Sequence, residues 1–143
     1  MAKRIINPPG LAAPRGFSHG IATTGGTLLF LGGQDASDAA GRIVAPGDLV
    51  AQLDQALASL RAVVTAAGGQ MTDIVKLNMY VRDRDDYVAH RKALGEVWRR
   101  SFGDYYPALA LFEVSALFDP AALVELEGMA VIGADGETSE PSG

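Results

Sequence analysis

Residues 48–67 constrain the fold more than any other stretch, because Leu49, Leu53, Ala56, Leu57, Leu60, Val63 and Val64 recur there at three- and four-residue spacings. On an α-helix that spacing gathers the apolar side chains into one stripe, which must be covered by something else. Asp48 is placed to cap the start, and Gly68 to follow the end. A second helix is predicted from Asp85 or Asp86 to about Ser101. Its buried side carries Tyr87, Leu94, Val97 and Trp98, it tolerates Gly95 in its middle, and Gly103 stops it. Between the two, residues 73–81 alternate. Val75, Leu77, Met79 and Val81 fall on one face and Ile74, Lys76, Asn78 and Tyr80 on the other, as in a strand covered by helices on one side.

The remaining elements are short. Pro8, Pro9 and Pro14 make residues 1–16 an extended lead-in. Residues 17–22 and 27–31 read as two strands of a hairpin around Thr23-Thr24-Gly25-Gly26, and residues 32–47 as a loop able to border a site. Two last strands, 108–115 and 122–132, flank Asp119-Pro120, and an acidic tail at 133–143 is expected to be disordered. The order is ββαβαββ, an α+β domain over residues 17–132 in which a single sheet carries both helices on one face. The sheet's second face bears large apolar residues as well as polar ones, so self-association is expected.

With 143 residues the chain suits one domain, and its charge of -5 with no basic stripe argues against nucleic acid as a partner. Without cysteine, no disulfide, thiolate metal site or Cys nucleophile is possible. No apolar run approaches the roughly 20 residues of a membrane span, and the N-terminal stretch breaks at prolines before any signal-like core; a soluble, cytoplasmic protein without membrane contact is expected.

Few residues carry a chemical signature. His19 and His90 stand in neither metal-ligand nor triad spacing, and are read as structural or solvated. Gly25-Gly26 and Gly32-Gly33 do not open a helix after a strand, so no phosphate loop is indicated, and no serine lies in a nucleophile motif. Glu125 and Glu127, two apart in a strongly apolar strand, share a face, with Glu113 expected near them. Charge in a sheet needs a partner or a task. Two readings stay open for these glutamates: bordering a solvated channel or pairing with Lys76 and an arginine across a subunit boundary, or holding a reacting water.

Five blocks, in order and spacing, resemble the RidA/YjgF family of reactive-intermediate deaminases over residues 15–132. They are Phe17-Ser18-His19-Gly20, Gly32-Gly33-Gln34, the run from Gly68 to Lys76, Tyr106-Pro107-Ala108-Leu109-Ala110-Leu111-Phe112-Glu113-Val114, and the run from Val124 to Val131. The resemblance implies a chorismate-mutase-like fold, a homotrimer around a central barrel, and small-molecule pockets at the subunit interfaces. It also implies cofactor-free hydrolysis of enamines and imines to ketoacids and ammonia. Glu125 matches the glutamate that positions or activates water, and Gly33 the glycine whose backbone approaches the ligand.

Three positions depart from the deaminase pattern. Leu109 replaces the arginine that binds the substrate carboxylate, removing both charge and donors. Phe17 stands where a tyrosine is common, and Leu111 where a small residue or cysteine lines the pocket. Arg91 aligns with a pocket asparagine; it is either a solvent-facing helix residue or, turned inward, a replacement charge on a different wall. Weak or no activity on 2-iminopropionate follows. Three functions compete: a divergent hydrolase using Glu125 on an enamine, imine or related metabolite less acidic than an imino acid, a non-catalytic trimeric metabolite binder, and, against the charge evidence, a ribonuclease or translation inhibitor.

Overall fold

The computed structural model describes residues 3–134, so all but the first two positions of the acidic tail lie outside the described residues. In chain order the elements are β1 (Lys3–Ile6), β2 (Gly20–Thr23), β3 (Thr27–Gln34), α1 (Leu49–Ala66), β4 (Ile74–Val81), α2 (Arg84–Ala89), α3 (Arg91–Phe102), β5 (Ala108–Glu113) and β6 (Val124–Ile132). The α+β class holds. Four strands form one mixed sheet in the order β3-β6-β4-β5, parallel only between β4 and β5.

The predicted stripe of α1 is what the sheet buries. Leu53, Leu57, Leu60 and Val64 are inaccessible and share a core with Leu77, Met79, Val81 and Leu126 from the sheet and Leu94, Val97 and Trp98 from α3. Each such side chain stabilises the fold by about 1.5–3 kcal/mol through removal from water. Asp48 caps α1, accepting from the Ala51 amide at 3.0 Å, and Gly68 follows with φ +89. Gln52 is buried in the same helix and is fully employed, donating to the Ala45 and Ala121 carbonyls and accepting from the Leu123 amide.

Four expectations need correction. First, β2 and β3 are not a hairpin. The Gly25-Gly26 turn lays Gly26 against the main chain at Ile132, so β3 pairs with β6, while β2 leaves to pair with β1 as a separate two-stranded sheet. The lead-in therefore contains a strand. It is joined to the β5 edge through Ser18, whose amide donates to the Pro107 carbonyl and whose hydroxyl donates to that of Tyr106.

Second, the long second helix is two. His90, at φ -113 and ψ 21, ends α2 with its Nδ1–H donating to the Asp86 carbonyl, and its own carbonyl starts α3 by accepting from Leu94. The cap of α2 is Asp83 rather than Asp85 or Asp86, which occupy its first turn. Third, Ile74 lies in the main core and Val75 outside it, because β4 slips by one residue against β6 between Ile74 and Lys76. Fourth, Glu113 is not beside Glu125. It leaves β5 on the helix side and accepts from the Arg84 amide, supplementing the Asp83 cap at the start of α2.

Candidate functional site

Strand register divides the candidate residues between the two faces of the sheet. Leu109 lies beside Leu77, and Leu111 beside Met79, so both point toward the helices. Glu125 lies beside Tyr80 and Glu127 beside Asn78, and these point the other way.

On the helix side is a cavity of about 260 Å³. Buried Leu53, Met79, Leu94 and Trp98 form its floor; partly exposed Tyr87, Gly95, Tyr106 and Leu109 form its walls; exposed Arg15, Gly16 and Arg91 form its mouth. The aromatic wall is rigid, since Trp98 stacks on Phe102 at 4.3 Å and near-parallel to Tyr106 at 6.4 Å. Ser18 holds the Tyr106 end in place and thereby brings Arg15 and Gly16 to the opening. Burial raises the Tyr87 phenol above its ordinary value, and the positive charge of Arg91 draws it partly back. The size suits a small metabolite, below the roughly 300–1,000 Å³ of pockets for larger ligands.

On the opposite face, Glu125 reaches back to the β3 end, where a side chain on Gly33 would collide with its carboxylate. Burial, then the charges of Asp35 and Glu127, raise the Glu125 carboxyl above its ordinary value. Tyr80 donates to Glu127 Oε1 at 2.5 Å, and that hydrogen bond is the first cause of the raised Tyr80 phenol. A partly desolvated carboxylate, held open to solvent by a glycine, is equipped to accept and return a proton. Exposed apolar side chains share this side of the sheet: Phe30, 70% exposed, pairs with Met129, and Phe112 stacks on Tyr80.

Of the predicted site residues, Leu109 and Arg91 line the cavity, and Arg91 stands at its mouth. Gly33 and Glu125 meet on the other face. Leu111 packs on the core beside the cavity without lining it, and Phe17 follows the mouth residues with its ring edge-on to His19 at 5.1 Å. The histidines are structural: His19 Nε2 donates to the Ala12 carbonyl at 2.8 Å, and His90 separates two helices. Arg15 has no sequence signal, sitting in a proline-rich stretch, and Asp35 lies in the loop read only as a border. Among the described residues no cluster of His, Asp and Glu could hold a metal ion, and no helix is long and apolar enough to cross a membrane.

The fold is a small α+β domain with a carboxylate on one sheet face and a small cavity on the other. A family model described as endoribonuclease L-PSP matches residues 9–132, and the chain belongs to that family, the RidA/YjgF or Rid family. It is 32% identical to a RutC family protein of Pyrococcus horikoshii over 90% of this chain and 97% of the relative. It is 31% identical to a 2-iminobutanoate/2-iminopropanoate deaminase of Dermatophagoides farinae, over 91% and 97%. Among solved structures, the Rid-family protein YyfB of Yersinia pestis, of unknown function, superposes with a TM-score of 0.83 at 34% identity, covering 92% of this chain and all of that one.

Proposed function

We propose that this protein is a cofactor-free hydrolase of an enamine, imine or related small metabolite, working as a homotrimer in which the cavity of one subunit is completed by the Glu125 face of the next. The observation that carries this reading is the pairing of Glu125 with Gly33 on an exposed, partly apolar sheet face, away from the Leu109 cavity. Within one chain the carboxylate and the cavity cannot share a ligand, whereas a second copy seated on the outward Phe30 and Phe112 surface brings one of each together. Glu125 takes a proton from water as its oxygen attacks the C=N carbon. It delivers that proton to nitrogen to give a carbinolamine, then takes the hydroxyl proton and passes it to nitrogen too, so that the C–N bond breaks, ammonia leaves and a carbonyl remains. An enamine first takes a proton at carbon to become the imine.

Leu109 removes the carboxylate clamp next to the reacting carbon, which directs the site to substrates less acidic than 2-imino acids. The test is ammonia release from imines generated in situ by an amine oxidase from apolar primary amines. Acceleration by the protein, lost in Glu125→Gln with the trimer intact, supports the reading; no acceleration on any of them favours a metabolite binder, for which Leu109 in an apolar cavity already speaks.

A further inference from the structure

The cavity has lost its family cation on the strand, yet two other cations border its opening. Arg15 and Arg91 are both exposed at the mouth, they come from different parts of the fold, and neither has a carboxylate within 4.0 Å among the described residues. In a chain with 17 acidic and 12 basic residues, two arginines left unpaired at one opening leave it locally positive. Inside, the floor is apolar, formed by Leu53, Met79, Leu94 and the ring of Trp98.

We propose that Arg15 and Arg91 read the charge of the ligand: the cavity takes a carboxylate held at the mouth and separated by an apolar spacer from the part that lies over Leu109 and Trp98. This deepens the reading of the cavity as the ligand site and rests on it. A guanidinium grips a planar carboxylate by two charge-assisted hydrogen bonds, and two of them at the rim do so without placing charge against Leu109. The volume limits the spacer to about one ring or a short branched chain. Such a carboxylate is a weaker acid than one attached directly to the imine carbon. The substrate class is thus set by where the cation stands and not by whether there is one.

The chain's one tryptophan is the reporter, because it forms the cavity floor. Trp98 fluorescence is titrated with 3-phenylpropanoate, with its neutral counterpart 3-phenylpropan-1-ol, and with pyruvate, on the wild-type protein and on the Arg15→Gln/Arg91→Gln variant. The expected result is tightest binding of 3-phenylpropanoate, weakened about ten- to a hundredfold in the double variant, with the alcohol unaffected. Arg15→Lys/Arg91→Lys should retain part of the preference for the acid, which separates charge from folding. If acid and alcohol bind alike and the double variant changes neither, the arginine inference is overturned while the cavity remains the ligand site. If no probe alters Trp98 at millimolar concentration, the cavity reading itself fails, and this inference with it.

Discussion

Leu109 and Glu125 project from opposite faces of the same sheet, Leu109 beside Leu77 on the helix side and Glu125 beside Tyr80 on the other. A single chain therefore offers a cavity without a carboxylate and a carboxylate without a cavity. Joining them takes a second copy of the chain, so assembly is the first property to measure.

Light scattering at micromolar concentration should give a trimer. Phe30 is 70% exposed on β3 amid other outward apolar residues, so Phe30→Glu should dissociate it while leaving the core untouched. A stable wild-type monomer would remove the composite site altogether.

Gly33→Ala tests the contact on which the acidic face is built. The added methyl meets the end of the Glu125 side chain, which can swing away, so folding should survive with at most about 1 kcal/mol lost. The displaced carboxylate no longer holds water in place, and small misplacements cost as much as a hundredfold in rate. The check is a melting curve beside the amine-derived imine assay.

Glu125 also gives a pH signature. Its carboxyl is raised in the folded protein, so its contribution to stability is fully present below the unfolded value and is lost as pH rises through the folded one. Glu125→Gln should therefore be more stable than wild type at pH 7 and indistinguishable from it below the ordinary carboxylate range. The gain should be no more than about 1 kcal/mol, because solvent screens a partly exposed group. Denaturant unfolding at the two pH values measures it; a gain that persists in acid would place the effect elsewhere.

Leu109→Arg should confer binding of pyruvate or 2-ketobutyrate, read by calorimetry. The new guanidinium enters the cavity with Tyr87 and Arg91 and does not meet the Glu125 of its own chain. Forcing the larger side chain among Leu53, Met79 and Trp98 should cost about 1–3 kcal/mol of stability. A folded variant that binds neither ketoacid would show that Leu109 does not line the ligand site.

How much of this was legible in the sequence follows from the range of the interactions involved. The α1 stripe, its Asp48 cap and the alternation of β4 from Lys76 onward are local patterns, and each survives in the fold, whereas the slip between Ile74 and Lys76 depends on β6. The β2–β3 hairpin failed because Gly26 serves a close approach to Ile132, a partner more than a hundred residues away that turn chemistry cannot reveal. The break at His90 was hidden because α2 and α3 continue one helical periodicity, and a single residue with ψ 21 separates them. Arg91 was legible as a candidate but its direction was not. Arg15 was invisible, since only the Ser18 anchor on Tyr106 carries it to the cavity. Most consequential, parity within a strand is readable from sequence but parity between strands needs the register, which is what sets Leu109 and Glu125 on opposite faces.

In the proposed reading, this Rid-family chain keeps the hydrolytic carboxylate but has given up the grip on a carboxylate next to the reacting carbon. The direct measurement is decay of 2-iminopropanoate in a dehydratase-coupled assay, with wild type and Glu125→Gln side by side. Both should leave the spontaneous rate unchanged, the missing bidentate contact alone costing about ten- to a hundredfold. Strong acceleration by wild type that vanishes in Glu125→Gln would contradict that reading.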